Sequence, residues 1–444
     1  MNKQEKLDNH KNPVTATVHG LSHDGRGVGI INQKTAFISG ALAGETVEFQ
    51  IKQKRSSYIE ADATNILISS ASRVTPPCKH FGLCGGCSLQ HMSMATQIEL
   101  KQQTLIDQLK HFGKVTAEEI MPVLDAASLG YRRKARLGVK FVIKKDKLMV
   151  GFREKSSRYL ADLESCVVLH PEVGMRFKEL SALIASLKTF NHIPQVEMAM
   201  GDSKVALVFR HMQDLPAEDI QALIAFGQQF DFDIYLQPNN PQPVSKLWPK
   251  DGRERLSYTL PAEKLEFLFH PLDFTQVNLE INRQMVSQAM ALLDVQPNER
   301  VLDLFCGIGN FTLACAKRGE FVTGIEGGAE MVSRAEENAR HNGINNVEYF
   351  AANLEKPPLD APWTKKQYDK ILLDPPRVGA KDILALVPSF QAKRIVYVSC
   401  NPATLARDAA ELVHTYKYVL KKVGIMNMFP HTSHIEAMAV FEAR

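Results

Sequence analysis

The chain has 444 residues, enough for about three domains, and its 45% hydrophobic and 23% charged residues exclude a fibrous or disordered chain. A formal net charge of +4 is too small to identify a nucleic-acid partner by itself, so any such partner must be read from where Lys and Arg fall. No apolar run approaches the roughly 20 residues of a membrane span and Met1-Asn2-Lys3-Gln4-Glu5-Lys6 lacks a signal peptide's apolar core, so a cytoplasmic protein without a membrane partner is expected, and a monomer.

After a polar leader, short β-like segments fill residues 12–70. Val47, Phe49 and Ile51 share one face and Glu48, Gln50 and Lys52 the other, with turns at Asp24-Gly25, Asn32-Gln33 and Ala43-Gly44. About five strands in so short a span predict a small barrel of the oligonucleotide-binding type. Lys52, Lys54 and Arg55 gather near one strand end. The segment resembles the TRAM domain, an RNA-binding barrel attached to RNA-modifying enzymes.

A central α+β domain is expected over 71–270. It opens on Cys78-Lys79-His80-Phe81-Gly82-Leu83-Cys84-Gly85-Gly86-Cys87, where glycines let the backbone wrap so that three sulfurs can converge. Cys166 is the only other cysteine outside the C-terminal third. Four thiolates suit tetrahedral zinc or an iron–sulfur cluster, and spacing does not choose between them. Radical enzymes that use S-adenosylmethionine keep a C-x3-C-x2-C spacing with one iron open; here the first gap is five residues and a fourth cysteine can close the site, which predicts a structural role.

Residues 94–113 carry Ile98, Leu105, Ile106 and Leu109 at the spacing of an amphipathic helix. From Tyr131 to Phe141, period-two reading places Ala135, Leu137, Val139 and Phe141 on a packing face and Arg132, Lys134, Arg136 and Lys140 on a cationic face suited to phosphates. Lys144-Lys145-Asp146-Lys147 reads as a hairpin tip, followed by a second basic surface at Arg153, Lys155 and Arg158. Strands are expected at 205–209 and 234–236, a helix over 217–226, and punctuation at 237–243.

Over 271–444 the pattern becomes that of a parallel α/β sheet. Arg300-Val301-Leu302-Asp303-Leu304-Phe305-Cys306-Gly307-Ile308-Gly309-Asn310 is a strand entering a glycine loop, and the next strand ends at Glu326, placed to accept hydrogen bonds from ribose hydroxyls. Thr312 stands where a dinucleotide fingerprint would have its third glycine. Asp303 before Phe305-Cys306-Gly307 is the arrangement of class I, Rossmann-like methyltransferases, which bind S-adenosylmethionine. Further strands lead to Asn353 and to Asp374-Pro375-Pro376-Arg377. Val396-Tyr397-Val398-Ser399-Cys400-Asn401-Pro402 reads as a buried strand running into a helix, with Asn401 as N-cap and Pro402 in the first turn. Cys400 then sits at a strand's carboxyl end beside a helix N-terminus, which favours the thiolate and makes it a candidate nucleophile.

The Cys-Asn-Pro run with Ala403-Thr404-Leu405-Ala406-Arg407-Asp408, the Asp-Pro-Pro-Arg run and Phe429-Pro430-His431-Thr432-Ser433-His434-Ile435-Glu436 resemble the RNA uracil-5-methyltransferase family. The barrel and the four cysteines make the chain most similar to that family's bacterial 23S rRNA branch. The resemblance implies transfer of methyl from S-adenosylmethionine to C5 of a flipped or single-stranded 23S rRNA uridine, giving 5-methyluridine through a covalent Cys–C6 adduct. It implies Cys400 as nucleophile, Glu436 as proton-abstracting base, and Gln276, Phe305, Asn310, Glu326, Asn353 and Asp374 as cofactor-site positions. It also implies Cys78, Cys84, Cys87 and Cys166 as ligands of a [4Fe-4S] cluster. Arg377 stands where amine methyltransferases carry an aromatic, which speaks against amine methylation. Cys306 and Cys315 read as small buried residues.

Overall fold

The computed structural model describes residues 14–239 and 243–444, which divide into two compact units. One contains the residues through 81 with 87–104 and 431–434; the other contains 82–86, 105–430 and 435–444. The polar leader with Met1 to Lys6, and Asn240, Pro241 and Gln242 of the expected punctuation, lie outside the described residues.

In the first unit, β1 (Val14–Leu21), β2 (Gly27–Ile31), β3 (Lys34–Ser39), β4 (Thr46–Lys54) and β5 (Tyr58–Ile68) close a barrel in the order β1-β2-β3-β5-β4. The alternation along β4 decides which side is inside: Val47 and Phe49 are buried, while Gln50 and Lys52 are exposed. Asn32 and Gln33 take positive φ at the β2–β3 turn. Lys52 of the expected cationic cluster is ion-paired with Asp62 at 3.1 Å.

The second unit contains two larger sheets. A two-residue strand, β6 (Glu119–Ile120), precedes β7 (Lys134–Val142), β8 (Lys147–Gly151), β9 (Gln195–Met200), β10 (Val205–His211), β11 (Phe232–Pro238) and β12 (Ser245–Trp248). The last six form a sheet in the order β12-β11-β10-β9-β7-β8. It is antiparallel except between β10 and β11, which the helix Ala217–Phe230 connects as a crossover. The helix expected over 94–113 runs as an α-helix over Met94–Gln108 and ends in a π-helical turn, Leu109–Gly113.

The ribbon β13 (Leu256–Leu260) and β14 (Leu265–Phe269) precedes the helix Leu279–Leu293, whose N-cap Asn278 accepts the Ile281 N–H through its side chain at 3.3 Å. Then follow β15 (Arg300–Leu304), β16 (Phe321–Glu326), β17 (Val347–Ala351), β18 (Lys370–Leu373), β19 (Arg394–Ser399), β20 (Tyr418–Met426) and β21 (Glu436–Ala443). The sheet order is β17-β16-β15-β18-β19-β21-β20-β6. β15 to β19 are parallel, and β21 runs antiparallel between β19 and β20. The aliphatic runs of the central strands β18 and β19 reflect burial on both faces, as a parallel sheet requires, whereas the edge strand β17 has no buried residue. Among the described residues, no helix is long and apolar enough to cross a membrane.

One apolar cluster joins the two large sheets: Ala206, Val208 and Tyr235 pack with the ribbon's Phe267 and Phe269 and with Met285, Leu313 and Val396. The opposite face of the six-stranded sheet has its own core, built on Leu137, Phe177, Val196, Leu207 and Phe209. Phe267 is fully buried and its ring stacks on Tyr258 with centroids 5.1 Å apart. Phe267→Ala is expected to lower stability by about 3–5 kcal/mol in urea denaturation. A loss under about 1 kcal/mol would mean that the ribbon is not part of this core.

Candidate active site

The parallel strands place the candidate residues in a row along one sheet edge. Phe305 follows β15, Glu326 ends β16, Asn353 lies just past β17, Asp374 follows β18 and Cys400 follows β19. This is the carboxyl edge, where open α/β sheets bind ligands.

The glycine loop is held by backbone contacts. The N–H groups of Phe305 and Cys306 both donate to the Ile325 carbonyl, at 2.9 and 3.0 Å. Phe305 has a φ of 66°, a strained backbone for a side chain of this size, and Gly307 and Gly309 also take positive φ. The Glu326 carboxylate accepts the N–H groups of Gly307 at 3.0 Å and Gly327 at 2.7 Å, so its position is set from both sides. Asn310 exchanges two hydrogen bonds with Asn282, at 2.9 and 3.2 Å, and accepts the Tyr258 hydroxyl at 2.8 Å. Asn353 is exposed and accepts the Glu355 N–H through its side chain at 2.9 Å. Gln276 lies in the loop before the helix Leu279–Leu293.

Asp303 is fully buried and accepts the Thr312 hydroxyl at 2.5 Å. Burial raises its carboxyl to about 7, helped by the charges of Asp374 and Glu326. Asp374 is likewise raised to about 7 by burial and by Glu326. These are features of a site built to receive a charged or polar ligand.

Cys400 and Glu436 come from distant parts of the sequence and meet through strand register. β19 pairs with β21 so that Ser399 opposes Ala437; Cys400 is the next residue on one strand and Glu436 the preceding residue on the other. Asn401 caps the helix Pro402–Ala410 by accepting the Ala403 N–H at 3.1 Å, as the sequence predicts. The expected stabilisation of a thiolate is absent from the free protein. Burial, then the charges of Glu436 and Asp374, push the Cys400 thiol up to about 11, with only Arg377 and a backbone hydrogen bond opposing. Glu436 is 4% exposed and is raised well above the usual carboxylate range by burial and Asp374, again opposed by Arg377.

Two supporting devices carry no sequence signal of their own. The loop after β18 is tied to the helix Pro402–Ala410: the Arg377 carbonyl accepts from Asn401 and Thr404, and the Ala380 N–H donates to Asp408 at 2.7 Å. Asp408 also accepts the Tyr397 hydroxyl at 2.7 Å. The loop bearing Gln276 is strapped to the start of β7, where the Lys134 ammonium donates to the carbonyls of Pro271 and Asp273 and the Arg133 N–H donates to the Val277 carbonyl. Burial lowers Lys134 to about 8. Lys134 therefore faces inward instead of joining an outward cationic face. Arg136 is ion-paired with Glu197 at 3.0 Å, and the Arg132 guanidinium donates to the Lys134 carbonyl.

The structure pairs none of the seven cysteines in a disulfide. Cys306 and Cys315 are buried thiols raised well above their ordinary range by burial, as expected of small core residues. Cys78 and Cys87 belong to the first unit, Cys84 and Cys166 to the second. The glycines beside Cys84 have the expected use: a Cβ on Gly85 would meet the Arg153 and Glu154 carbonyls at 3.3 Å, and the Gly86 N–H donates to the Cys84 sulfur at 3.4 Å. Among the described residues, however, no group of three or more His, Cys, Asp or Glu side chains is arranged to hold a metal ion, so the expected four-thiolate centre finds no support in them.

Residues 93–444 match the family described as tRNA (uracil-5-)-methyltransferase, and residues 13–64 match the TRAM domain. The chain is 50% identical over 433 residues to the 23S rRNA (uracil(1939)-C(5))-methyltransferase RlmD of Hahella chejuensis, with 97% of each chain covered. It is 47% identical to the protein of the same description from Francisella tularensis subsp. novicida, with 96% of each covered. The tRNA (uracil-54, C5)-methyltransferase of Pyrococcus abyssi, solved with S-adenosyl-L-homocysteine, shares the fold with a TM-score of 0.74 at 23% identity, over 96% of this chain and 100% of that one.

Between its unfolded value of 3.8 and its folded value of about 7, Asp303 binds more proton in the folded than in the unfolded state. Stability therefore falls as pH rises through that window, and is level above it. Asp303→Asn should flatten this part of the urea-denaturation stability profile, with a wild-type-minus-variant difference on the order of a few kcal/mol between the two ends. A difference independent of pH would mean that Asp303 is ionised throughout.

Proposed function

Because the chain belongs to the tRNA (uracil-5-)-methyltransferase family, we propose that it makes 5-methyluridine in 23S rRNA, at the uridine 1939 named for its relatives, using S-adenosylmethionine. The observation that carries the chemistry is the strand register setting a thiol and a buried carboxyl side by side at the sheet's ligand edge.

The bound methyl donor supplies an electrophilic methyl group. Glu326, with its oxygens fixed by backbone N–H groups, suits the ribose hydroxyls, and Phe305, Asn310, Asn353, Asp374 and Gln276 are proposed to complete the cofactor site. Uracil C5 alone is a weak nucleophile. Addition of the Cys400 thiolate to C6, after its proton has passed to solvent, breaks ring conjugation and places enolate character on C5, which then takes the methyl group as the donor's thioether leaves. Glu436, as the carboxylate, takes the C5 proton and becomes the acid, the C6–S bond breaks, and the thiolate is released. In the free protein both groups are raised above their ordinary ranges by burial and by neighbouring carboxyls. Entry of the base, not the helix N-terminus alone, must therefore activate Cys400. A thiol at this depth requires the target uridine to leave its stack.

On this reading residues 12–70, 71–270 and 271–444 divide into RNA docking, central and methyl-transferring parts of a cytoplasmic monomer. Cys78, Cys84, Cys87 and Cys166 are proposed to hold a structural [4Fe-4S] cluster, a reading that rests on the resemblance to the family's bacterial 23S rRNA branch, since the number and spacing of the thiolates suit zinc equally. Anaerobically purified protein should then contain about four irons and four sulfides per chain, with Cys84→Ser losing them. One zinc per chain would replace the cluster, and metal-free protein that is fully folded would remove it.

Wild type should transfer labelled methyl to uridine C5 in unmodified 23S rRNA, and Cys400→Ala should transfer none. Glu436→Gln should form the adduct and resolve it slowly, accumulating a denaturant-resistant protein–RNA complex. Label confined to tRNA would keep the mechanism and change the substrate, whereas full activity of Cys400→Ala would overturn the covalent route.

A further inference from the structure

The six-stranded sheet bears a cleft of about 750 Å³ that the methyl-transfer chemistry does not use. Its lining includes apolar Val139, Met149, Phe152 and Leu160 and brings together Arg136, Lys140, Lys145, Arg153 and Arg158 with one acid, Glu154. Two of these cations are already answered: Arg136 pairs with Glu197 and Lys145 lies 4.0 Å from Asp162. Among the described residues, Lys140, Arg153 and Arg158 have no carboxylate at ion-pair distance, so positive charge is left over.

An aromatic belongs to the same lining. Tyr159 is 62% exposed, so its ring is open to a ligand, and the Arg158 guanidinium lies over it at 5.4 Å. Its position is set by the backbone. The Glu154 N–H donates to the Tyr159 carbonyl at 2.9 Å, Arg153 bridges to Leu160, and Ser156 takes a φ of 56° at the turn. This hairpin is backed by the cysteine segment: the Gly85 N–H donates to the Arg153 carbonyl and the Lys155 N–H to the Leu83 carbonyl. Cations among apolar side chains with an exposed ring match a single-stranded nucleic acid, whose phosphates seek charge and whose bases stack on aromatics regardless of sequence. The cleft also shares a strand with the site: Lys134 of β7 braces the loop leading to Gln276, and Lys140 is six residues further along, about 20 Å at the rise of a strand.

We propose that this cleft is a second RNA subsite, in which Tyr159 stacks on a base flanking the target uridine and Lys140 and Arg158 contact the adjoining phosphates. It rests on the reading of the substrate as RNA.

The test uses the full-length protein and a labelled single-stranded 23S rRNA fragment containing the target uridine, with affinity measured over a range of salt. The double variant K140A/R158A is expected to bind about tenfold more weakly and to reduce the slope of log affinity on log salt by about 1.4, two phosphate contacts at about 0.7 each. The charge-matched control K188A/K204A, whose lysines pair with Glu218 and Asp231, should stay near wild type. Tyr159→Ala should lose about tenfold in affinity and Tyr159→Phe should retain it. With saturating RNA, methyl transfer by all of these should stay within about twofold of wild type, the loss appearing in KM. If K140A/R158A matches the control in affinity and slope, or Tyr159→Ala matches wild type, the proposal falls and the cleft is left to an acidic protein surface. A wild type that methylates no uridine in the fragment, but whose binding the cleft variants alone weaken, would overturn the substrate reading and keep the cleft.

Discussion

The insertion of β21 antiparallel between β19 and β20 is the constraint on which the candidate site depends. It brings residue 436 beside residue 400, across 36 positions of sequence, and buries the carboxyl on arrival. A one-residue slip in this pairing would turn Glu436 to the opposite face, because side chains alternate along a strand. The register is in turn secured by side chains on both strands that have no exposure at all: Ile395, Val396, Tyr397 and Val398 on β19, and Ala437, Met438 and Ala439 on β21.

That burial has an electrostatic consequence for the whole edge. Asp303, Asp374 and Glu436 are all raised by loss of solvent, with neighbouring acids adding to the effect, and the Cys400 thiol rises with them. The edge thus disfavours negative charge until something positive or hydrogen-bonding arrives. Arg377 is the cation that opposes the shifts at Cys400 and Glu436, and its loop is clamped through Asn401, Thr404 and Asp408. The helix that follows Cys400 therefore also holds the loop carrying the counter-charge.

β7 serves two purposes that its sequence pattern merges. The alternation along it is real, with Ala135, Leu137 and Val139 buried. Of the polar positions, Lys134 is spent on the carbonyls of the loop before Gln276 and Arg136 is paired with Glu197, while Lys140 remains directed to the cleft. A half-buried cation held against carbonyl oxygens and one left to solvent look alike in a strand pattern, because periodicity reports the face of the strand and not what covers it.

Local order was legible in the chain itself. Alternation placed Val47 and Phe49 inside the barrel, Asn401-Pro402 marked a helix start, and each strand's last apolar residue marked where Glu326, Asp374 and Cys400 stand along one edge. The uracil-methyltransferase motifs supplied Glu436, which no local pattern distinguishes from an exposed carboxylate near the chain's end. What the sequence could not contain is anything set by contacts between distant residues. The helix start beside Cys400 suggested a thiolate, but burial and two carboxyls brought by other strands reverse the direction, since desolvation acts through three-dimensional surroundings. Tyr258 on Asn310, Lys134 on the Pro271 carbonyl and Asp408 on the Ala380 N–H likewise exist only once the chain has folded. Sequence alone determined the elements and the residue types at the sheet edge; tertiary structure decided their protonation and their partners, because charge and hydrogen bonding depend on what packs nearby and not on what comes next in the chain.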